Sequence, residues 1–202
     1  MGYVLVILGA YLLGCSNMAM YLAKLKKVDL SGGSGNPGTS NATLLMGWRA
    51  GVIVGIHDIG KGLLAVWFAR WLFPSLEYGD VVAGVACVLG HMFPVFMGFK
   101  GGKGFASYLG MTLALHWQFA LIIMAVLVVV TVVTDYIVLG TVVTVVTTPV
   151  VLGFLTHSLI LVAILCVATA VILFKHRENY VRIWKGTEIG LSHALKKDHK
   201  VK

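Results

Sequence analysis

Apolar runs follow one another along almost the whole chain, at residues 3–23, 50–73, 81–97, 105–115, 119–133, 136–155 and 158–174. A segment in lipid has no water to satisfy its backbone, so each run must close its own hydrogen bonds as a helix. A spanning helix takes about 20 apolar residues, which gives a 202-residue chain room for about six to eight spans with short loops. Hydrophobic residues are 58% and charged residues 12% of the chain, with a mean hydropathy of +0.91. An average soluble domain has roughly 45–50% and 25%. The expectation is an all-α polytopic membrane protein with seven transmembrane helices, forming a single integral-membrane domain over residues 1–202, with no soluble domain left over.

The stretch 105–133 reads either as one long tilted helix or as two short ones broken at His116, Trp117 and Gln118. Charge decides between them. Positive residues favour the cytoplasmic side, and an odd span count puts Lys24 to Lys27, Lys100, Lys103 and the basic tail at 175–202 there together. With seven spans, an outside N-terminus and a cytoplasmic C-terminus, only Arg70 of the 16 Lys and Arg residues falls toward the outer end. The formal net charge of +8 is therefore a topology signal. No exposed aromatics interleave with the basic residues, so no nucleic-acid partner is expected. Cys15, Cys87 and Cys166 each lie in apolar sequence without paired spacing and read as small hydrophobes, leaving no metal site or disulfide framework. The N-terminus lacks the charged leader of a secretory or lipoprotein signal.

Four features carry chemistry. Asp58 and Lys61, expected near the inner end of the second span, share a helix face at i, i+3; charges in a span are expensive and mark function by default, while a mutually satisfied ion pair is the plainer reading. A loop at 32–41, with Gly33, Ser34, Gly35, Asn36, Gly38 and Asn41, permits unusual backbone angles and can aim several N–H groups at an anion. Its glycines spell a dinucleotide fingerprint but have no βαβ unit around them. A second loop runs from Gly90, His91 and Pro94 to Lys100, Gly101, Gly102, Lys103 and Gly104, where a helix begins. Glycines, two lysines and a helix N-terminus suit a phosphate, although the spacing is not that of a Walker A loop. After the last run, a helix from His176 puts His176 and Asn179 on one face and pairs Glu178 with Arg182 on another. Parity places all of these on one side of the membrane. Two Gly/Lys loops beside apolar helices suit a phosphorylated lipid precursor.

These blocks, in this order, resemble the bacterial membrane glycerol-3-phosphate acyltransferases that use acyl phosphate, the PlsY family, over essentially the whole chain. The matching stretches are 33–38 with Asn41, 58–62, 90–104 and 176–188. The resemblance implies a seven-helix enzyme of the bacterial cytoplasmic (inner) membrane, with its active site on the cytoplasmic face. It implies acyl phosphate and glycerol 3-phosphate as substrates, membrane lipid as surroundings, no cofactor, and 1-acyl-glycerol-3-phosphate plus phosphate as products. In this reading Ser34, Asn36 and the neighbouring backbone bind a phosphate. Lys103 and the amides of residues 101–104 neutralise phosphate and leaving-group charge, Asn179 orients the glycerol, and His176 is the general base or positions the hydroxyl. Lys61, His91 and Lys100 are further binding candidates.

Family members commonly carry one arginine just before the first loop and another three residues after its last Asn; here Ser31 and Leu44 stand there, and Arg49 is the candidate to compensate. His193 and Asp198 match the spacing of a soluble-type acyltransferase dyad but lie in a lysine-rich tail without its context. Two competing functions remain open at this level: acylation of another phosphorylated polyol, and transport or binding of a phosphorylated metabolite.

Overall fold

The structure is a computed structural model that describes residues 1–193. Asp198 and the last lysines of the basic tail lie outside the described residues. Each of the seven apolar runs is helical. Helix α1 (Gly2–Gly14) and α2 (Met18–Lys26) divide the first run, α3 (Thr39–Met46) follows the first loop, and α4 (Trp48–Leu72) is the second run. Then come α5 (Gly79–Met92), a 3₁₀ turn (Val95–Met97), α6 (Phe105–Leu115), α7 (Trp117–Thr134), α8 (Ile137–Thr156), α9 (Leu159–Lys175) and α10 (Arg177–Trp184). Among the described residues, five segments are long and apolar enough to cross a membrane: Gly2–Lys26, Trp48–Leu72, Gly79–Met97, Trp117–Thr134 and Ile137–Thr156. Helices α9 and α10, bent by 44°, add a sixth where the bent pair counts as one span, and α6 is apolar but short at 11 residues.

One reading changes at this level and one expected break is present. The first run is interrupted: Asn17 leaves the helix in extended backbone and its side chain accepts from the Met20 N–H at 3.0 Å, capping α2. The stretch 105–133 is two helices. His116 stands between them, its Nδ1 accepting from the Phe119 N–H at 3.2 Å.

The chain forms two compact units, residues 1–115 and the remainder from His116. In the first, α1 packs on α5, and α4 packs on α3, α5 and α6. Between helices that share a lipid solvent, association rests on close packing, and small residues allow backbones to touch. Here the small residues come in reciprocal pairs. A Cβ at Gly14 of α1 would strike the Cys87 carbonyl of α5, and one at Gly90 of α5 would strike the Tyr11 carbonyl of α1. The α4–α6 crossing repeats the device, with Gly62 against the Ser107 carbonyl and Gly110 against the Ile59 carbonyl. Along α1 the buried residues are Val6, Ala10 and Gly14, one every turn, facing Ala83, Ala86 and Cys87.

In the second unit, α8 packs between α7 and α9. Gly140 lets α8 approach Leu127 of α7, and the Thr169 hydroxyl of α9 donates to the Val145 carbonyl of α8 at 2.9 Å. The C-terminal segment returns to the turn before α8, where Ser192 gives its N–H and hydroxyl to the two carboxylate oxygens of Asp135 at 2.7 and 2.8 Å.

Gly14→Leu should lower the thermal midpoint of the detergent-solubilised protein by an overpacking cost of about 1–3 kcal/mol or more. Gly9→Ala, on the same helix with nothing within 4 Å of its Cβ position, should leave the midpoint unchanged. Equal midpoints for the two variants would remove the glycine contacts as the basis of the α1–α5 crossing.

Candidate active site

The first glycine loop is stitched at both ends. Asn41, fully buried at 0% exposure, donates from Nδ2 to the Leu30 carbonyl at 2.9 Å, while its Oδ1 accepts from the Ser34 N–H at 2.8 Å. Gly33 and Gly35 adopt positive φ of 63° and 65°, and a Cβ at Gly33 would meet Asn41 Oδ1. The Gly38 N–H donates to the Asn36 carbonyl at 2.8 Å as the chain enters α3. From the α1–α2 break, Asn17 Nδ2 donates to the Pro37 carbonyl at 3.0 Å. Asn41 is thus the brace of the loop, with both ends of its amide engaged. Ser34 and Asn36 are half-buried side chains on its rim.

Ser31 gives its N–H and hydroxyl to Asp29 at 2.9 and 2.6 Å, a closed turn on the exposed side of the loop. Those contacts hold the Asp29 carboxyl below its ordinary pKa. Arg49 projects from the first turn of α4, exposed, with its guanidinium 5.7 Å from the Trp48 ring centroid.

The second loop folds back on the helix that precedes it. The Gly101 N–H donates to the Met92 carbonyl and the Gly102 N–H to the His91 carbonyl, each at 3.1 Å. This alters one expectation: those two amides serve the C-terminus of α5, so the donors the loop can direct at an anion come from the start of α6. The first N–H groups of a helix have no partner within it. Gly104, at φ 86°, opens that helix, its carbonyl accepting from the Tyr108 N–H at 2.9 Å. A Cβ there would crowd Met92 and Val88 at 2.9 to 3.1 Å. Lys103 is half-buried beside this turn and Lys100 is exposed. Tyr11 of α1 donates its hydroxyl to the Phe93 carbonyl at 2.7 Å, fixing the loop's root.

Beneath the loops lies a buried polar cluster. Lys61, 3% exposed, places Nζ 2.7 Å from the Ser16 carbonyl, 2.9 Å from Asp58 Oδ1 and 2.8 Å from His91 Nδ1. A lysine has three N–H donors, and here each has an acceptor. The sequence suggested that Lys61 meets a phosphate; its amine is instead fully engaged inside the bundle. Asp58 also takes His57 Nδ1 at 3.3 Å, and His57 Nε2 meets the Ser16 hydroxyl at 3.0 Å. The cluster stands near the midpoint of α4, deeper than the inner end where the apolar run placed it. A lysine amine can only give protons to His91 Nδ1, so the imidazole proton sits on Nε2. That nitrogen occupies the space a Cβ would need at Gly102.

In the second unit, His176 sits at the bend between α9 and α10 with φ −92° and ψ 1°, in the bridge region where many active-site residues are found. Its Nδ1 lies 2.8 Å from the Ile172 carbonyl. A carbonyl only accepts, so the ring proton is on Nδ1 and Nε2 carries the lone pair. Asn179, buried like His176, donates from Nδ2 to Glu188 Oε1 at 2.6 Å, and Arg182 Nε donates to Glu188 Oε2 at 2.5 Å. The expected Glu178–Arg182 pair does not form. Glu178 is exposed and lies 3.9 Å from Arg177 instead. The Thr187 N–H donates to the Arg182 carbonyl at 2.8 Å, and the turn at Gly186, φ 67°, brings Glu188 back along α10. Spacing within a helix could not show this partner, because Glu188 lies beyond the helix end.

The chain matches the profile of the glycerol-3-phosphate acyltransferase family over residues 4–186. It is 35% identical over 181 residues to the glycerol-3-phosphate acyltransferase of Thermoanaerobacter pseudethanolicus, covering 89% of this chain and 90% of that protein. Two crystal forms of PlsY, an integral membrane glycerol 3-phosphate acyltransferase, share the fold at 34% identity. The glycerol 3-phosphate form has a TM-score of 0.88 over 95% of this chain and 96% of the other. The lysophosphatidic acid form has 0.87 over 96% and 99%. Family profile, relative and fold agree over nearly the full length, and the chain belongs to the PlsY family of membrane glycerol-3-phosphate acyltransferases.

Proposed function

We propose that this protein transfers a fatty acyl group from acyl phosphate to the hydroxyl of glycerol 3-phosphate, releasing 1-acyl-glycerol-3-phosphate and inorganic phosphate. The observation that carries the reading is the pair of glycine loops braced on one apolar bundle, an arrangement that supports two anion sites. Family membership supports the acyltransferase chemistry and the phosphorylated acceptor. The donor is argued from chemistry: an acyl phosphate has a good leaving group, so the protein needs no covalent nucleophile. It needs orientation, which alone supplies about 7–11 kcal/mol.

In the reaction the acceptor oxygen bonds to the acyl carbon, the carbonyl-to-phosphate C–O bond breaks, and phosphate leaves with its electron pair. The hydroxyl proton passes to His176 Nε2, the nitrogen with the lone pair, or to the departing phosphate. Ser34, Asn36 and the backbone at 33–38 hold a substrate phosphate, with Asn41 as the brace. Lys103 and the first turn of α6 neutralise the leaving group, and Lys100 adds charge at the rim. Asn179, whose Nδ2 donates to Glu188, orients the glycerol. A second reading keeps the donor and changes the acceptor to another phosphorylated polyol. It is motivated by Ser31, which stands where an arginine is common and is turned onto Asp29.

The topology completing this proposal has seven spans, with α6 as the short fourth. The N-terminus is outside and the C-terminal segment, 175–202, is on the cytoplasmic face of the bacterial inner membrane. The whole chain then serves as one acyltransferase domain.

Membranes bearing the protein should release phosphate only when acyl phosphate and glycerol 3-phosphate are both present, and Lys103→Ala should cut kcat by about 10²–10³ with insertion unchanged. Wild-type turnover in that variant, or no acceptor-dependent release by the native protein, would overturn the proposal. A panel of phosphorylated polyols separates the two acceptors.

Glu188→Ala should lower kcat/KM by at least about tenfold, the scale of one lost positioning contact of about 1.4 kcal/mol. Unchanged steady-state kinetics would exclude Glu188 as the anchor of Asn179.

A single cysteine at Ser75 in an otherwise cysteine-free protein should react with an impermeant maleimide from outside intact cells. One at Lys100 should react only after the membrane is opened. The reverse pattern would invert the orientation.

A further inference from the structure

The side chains beneath the loops link one anion loop to the other. Beginning at the first loop, the Pro37 carbonyl accepts from Asn17 Nδ2 at 3.0 Å. The next residue back along the α1–α2 break, Ser16, accepts from Lys61 Nζ at 2.7 Å through its carbonyl. Lys61 gives a second bond to His91 Nδ1 at 2.8 Å, and His91 Nε2 faces Gly102 in the second loop, whose N–H returns to the His91 carbonyl. Asp58 and His57 close a ring with Ser16, through contacts of 2.9, 3.3 and 3.0 Å. Asp58, Lys61 and His91 are 2%, 3% and 3% exposed.

Such a cluster is a poor means of stabilising a bundle. Taking charges out of water costs several kcal/mol per ion, and well-packed apolar residues often serve as well or better. Its partners explain its presence. Asn17 and Lys61 bond backbone at the first loop and the helix break, His91 packs on the second loop at Gly102, Asp58 joins Lys61 to His57, and the two ends of the chain are the two glycine loops.

We infer that Lys61 and His91, with Asp58, are positioning residues that set the spacing and orientation of the two anion loops relative to one another, without touching either substrate. The inference rests on the acyl-transfer reading for its kinetic form. If each loop is assembled locally, by Asn41 in one case and by the α5 carbonyls in the other, then removing the link leaves each phosphate site intact and spoils their register. Register matters for transfer and not for holding either substrate alone.

The decisive comparison is His91→Leu against His91→Gln. A glutamine amide can accept from Lys61 through Oε1 and turn its N–H₂ toward the second loop, whereas leucine can do neither. His91→Leu should lose at least about 100-fold in kcat, the cost of a misplacement of about 1 Å. The KM for each substrate should stay within about threefold, the signature of an interaction that serves only the transition state. His91→Gln should recover most of the loss. A rise in the KM for acyl phosphate at unchanged kcat would make His91 a direct ligand and overturn the inference, as would wild-type kinetics in His91→Leu.

Because a lone leucine leaves one Lys61 N–H without its acceptor, the triple variant Asp58→Leu, Lys61→Met, His91→Leu is made alongside. It removes every member together, should fold, and should show the same loss in kcat. If neither apolar variant gives monodisperse protein in detergent, the cluster is a folding element and the inference fails. A readout independent of turnover separates this inference from the proposed reaction. Spin labels at Ser40→Cys and Lys100→Cys, in a background lacking the native cysteines, should give a narrow distance distribution in the parent and a broad one in His91→Leu. Equal distributions overturn the loop-spacing role even if the enzyme is active. A broadened distribution upholds it even if the parent fails to release phosphate from these substrates.

Discussion

A buried amine with three acceptors organises the first unit of this protein. Lys61 is held by a carbonyl at a helix break, a carboxylate one turn back on its own helix and an imidazole on α5. Each of these bonds contributes only a small net amount, about 1.5–3 kcal/mol for a hydrogen bond to a charged group. Losing one partner is the expensive event, because the rest are then left unsatisfied in a dry interior. The break in the first run is part of this arrangement. Leaving the helix at Ser16 exposes the carbonyl that Lys61 takes, and lets Asn17 cap α2 on one side and hold Pro37 on the other.

The glycine contacts make that arrangement reachable. Helices α1 and α5 touch backbone to backbone through Gly14 and Gly90, and α4 and α6 through Gly62 and Gly110. With side chains at these points α1 and α5, and likewise α4 and α6, would stand farther apart. The first pair carries the break at Ser16 and the root of the second loop, and the second pair carries Lys61 and the helix that the second loop opens. The same economy governs Gly102, where the missing Cβ is the room that His91 Nε2 occupies.

In the second unit the polar side chains are arranged by a return of the chain. Glu188 comes back past Gly186 and divides its two oxygens between Asn179 and Arg182, which fixes the direction of the Asn179 amide. His176 is placed at a bend, its Nδ1 committed to the Ile172 carbonyl, so the tautomer is decided by backbone. Both residues are ones the sequence singled out. Their partners are not, because the helix periodicity that paired Arg182 with Glu178 knows only neighbours on the same helix.

The apolar runs determined an all-helical membrane protein by themselves, since lipid leaves a backbone no other way to satisfy its polar groups. The runs of Gly, Ser, Asn and Lys likewise marked the loops, because only such residues permit close approach to an anion. Tertiary structure decided which polar atoms are already engaged. Lys61, Asn41 and the amides of Gly101 and Gly102 read from sequence as groups for a ligand, and in the fold they hold the protein's own backbone. A one-dimensional pattern records residue types and spacings, whereas the partner of a buried donor is set by which helices pack together, and that is fixed only when the glycines meet.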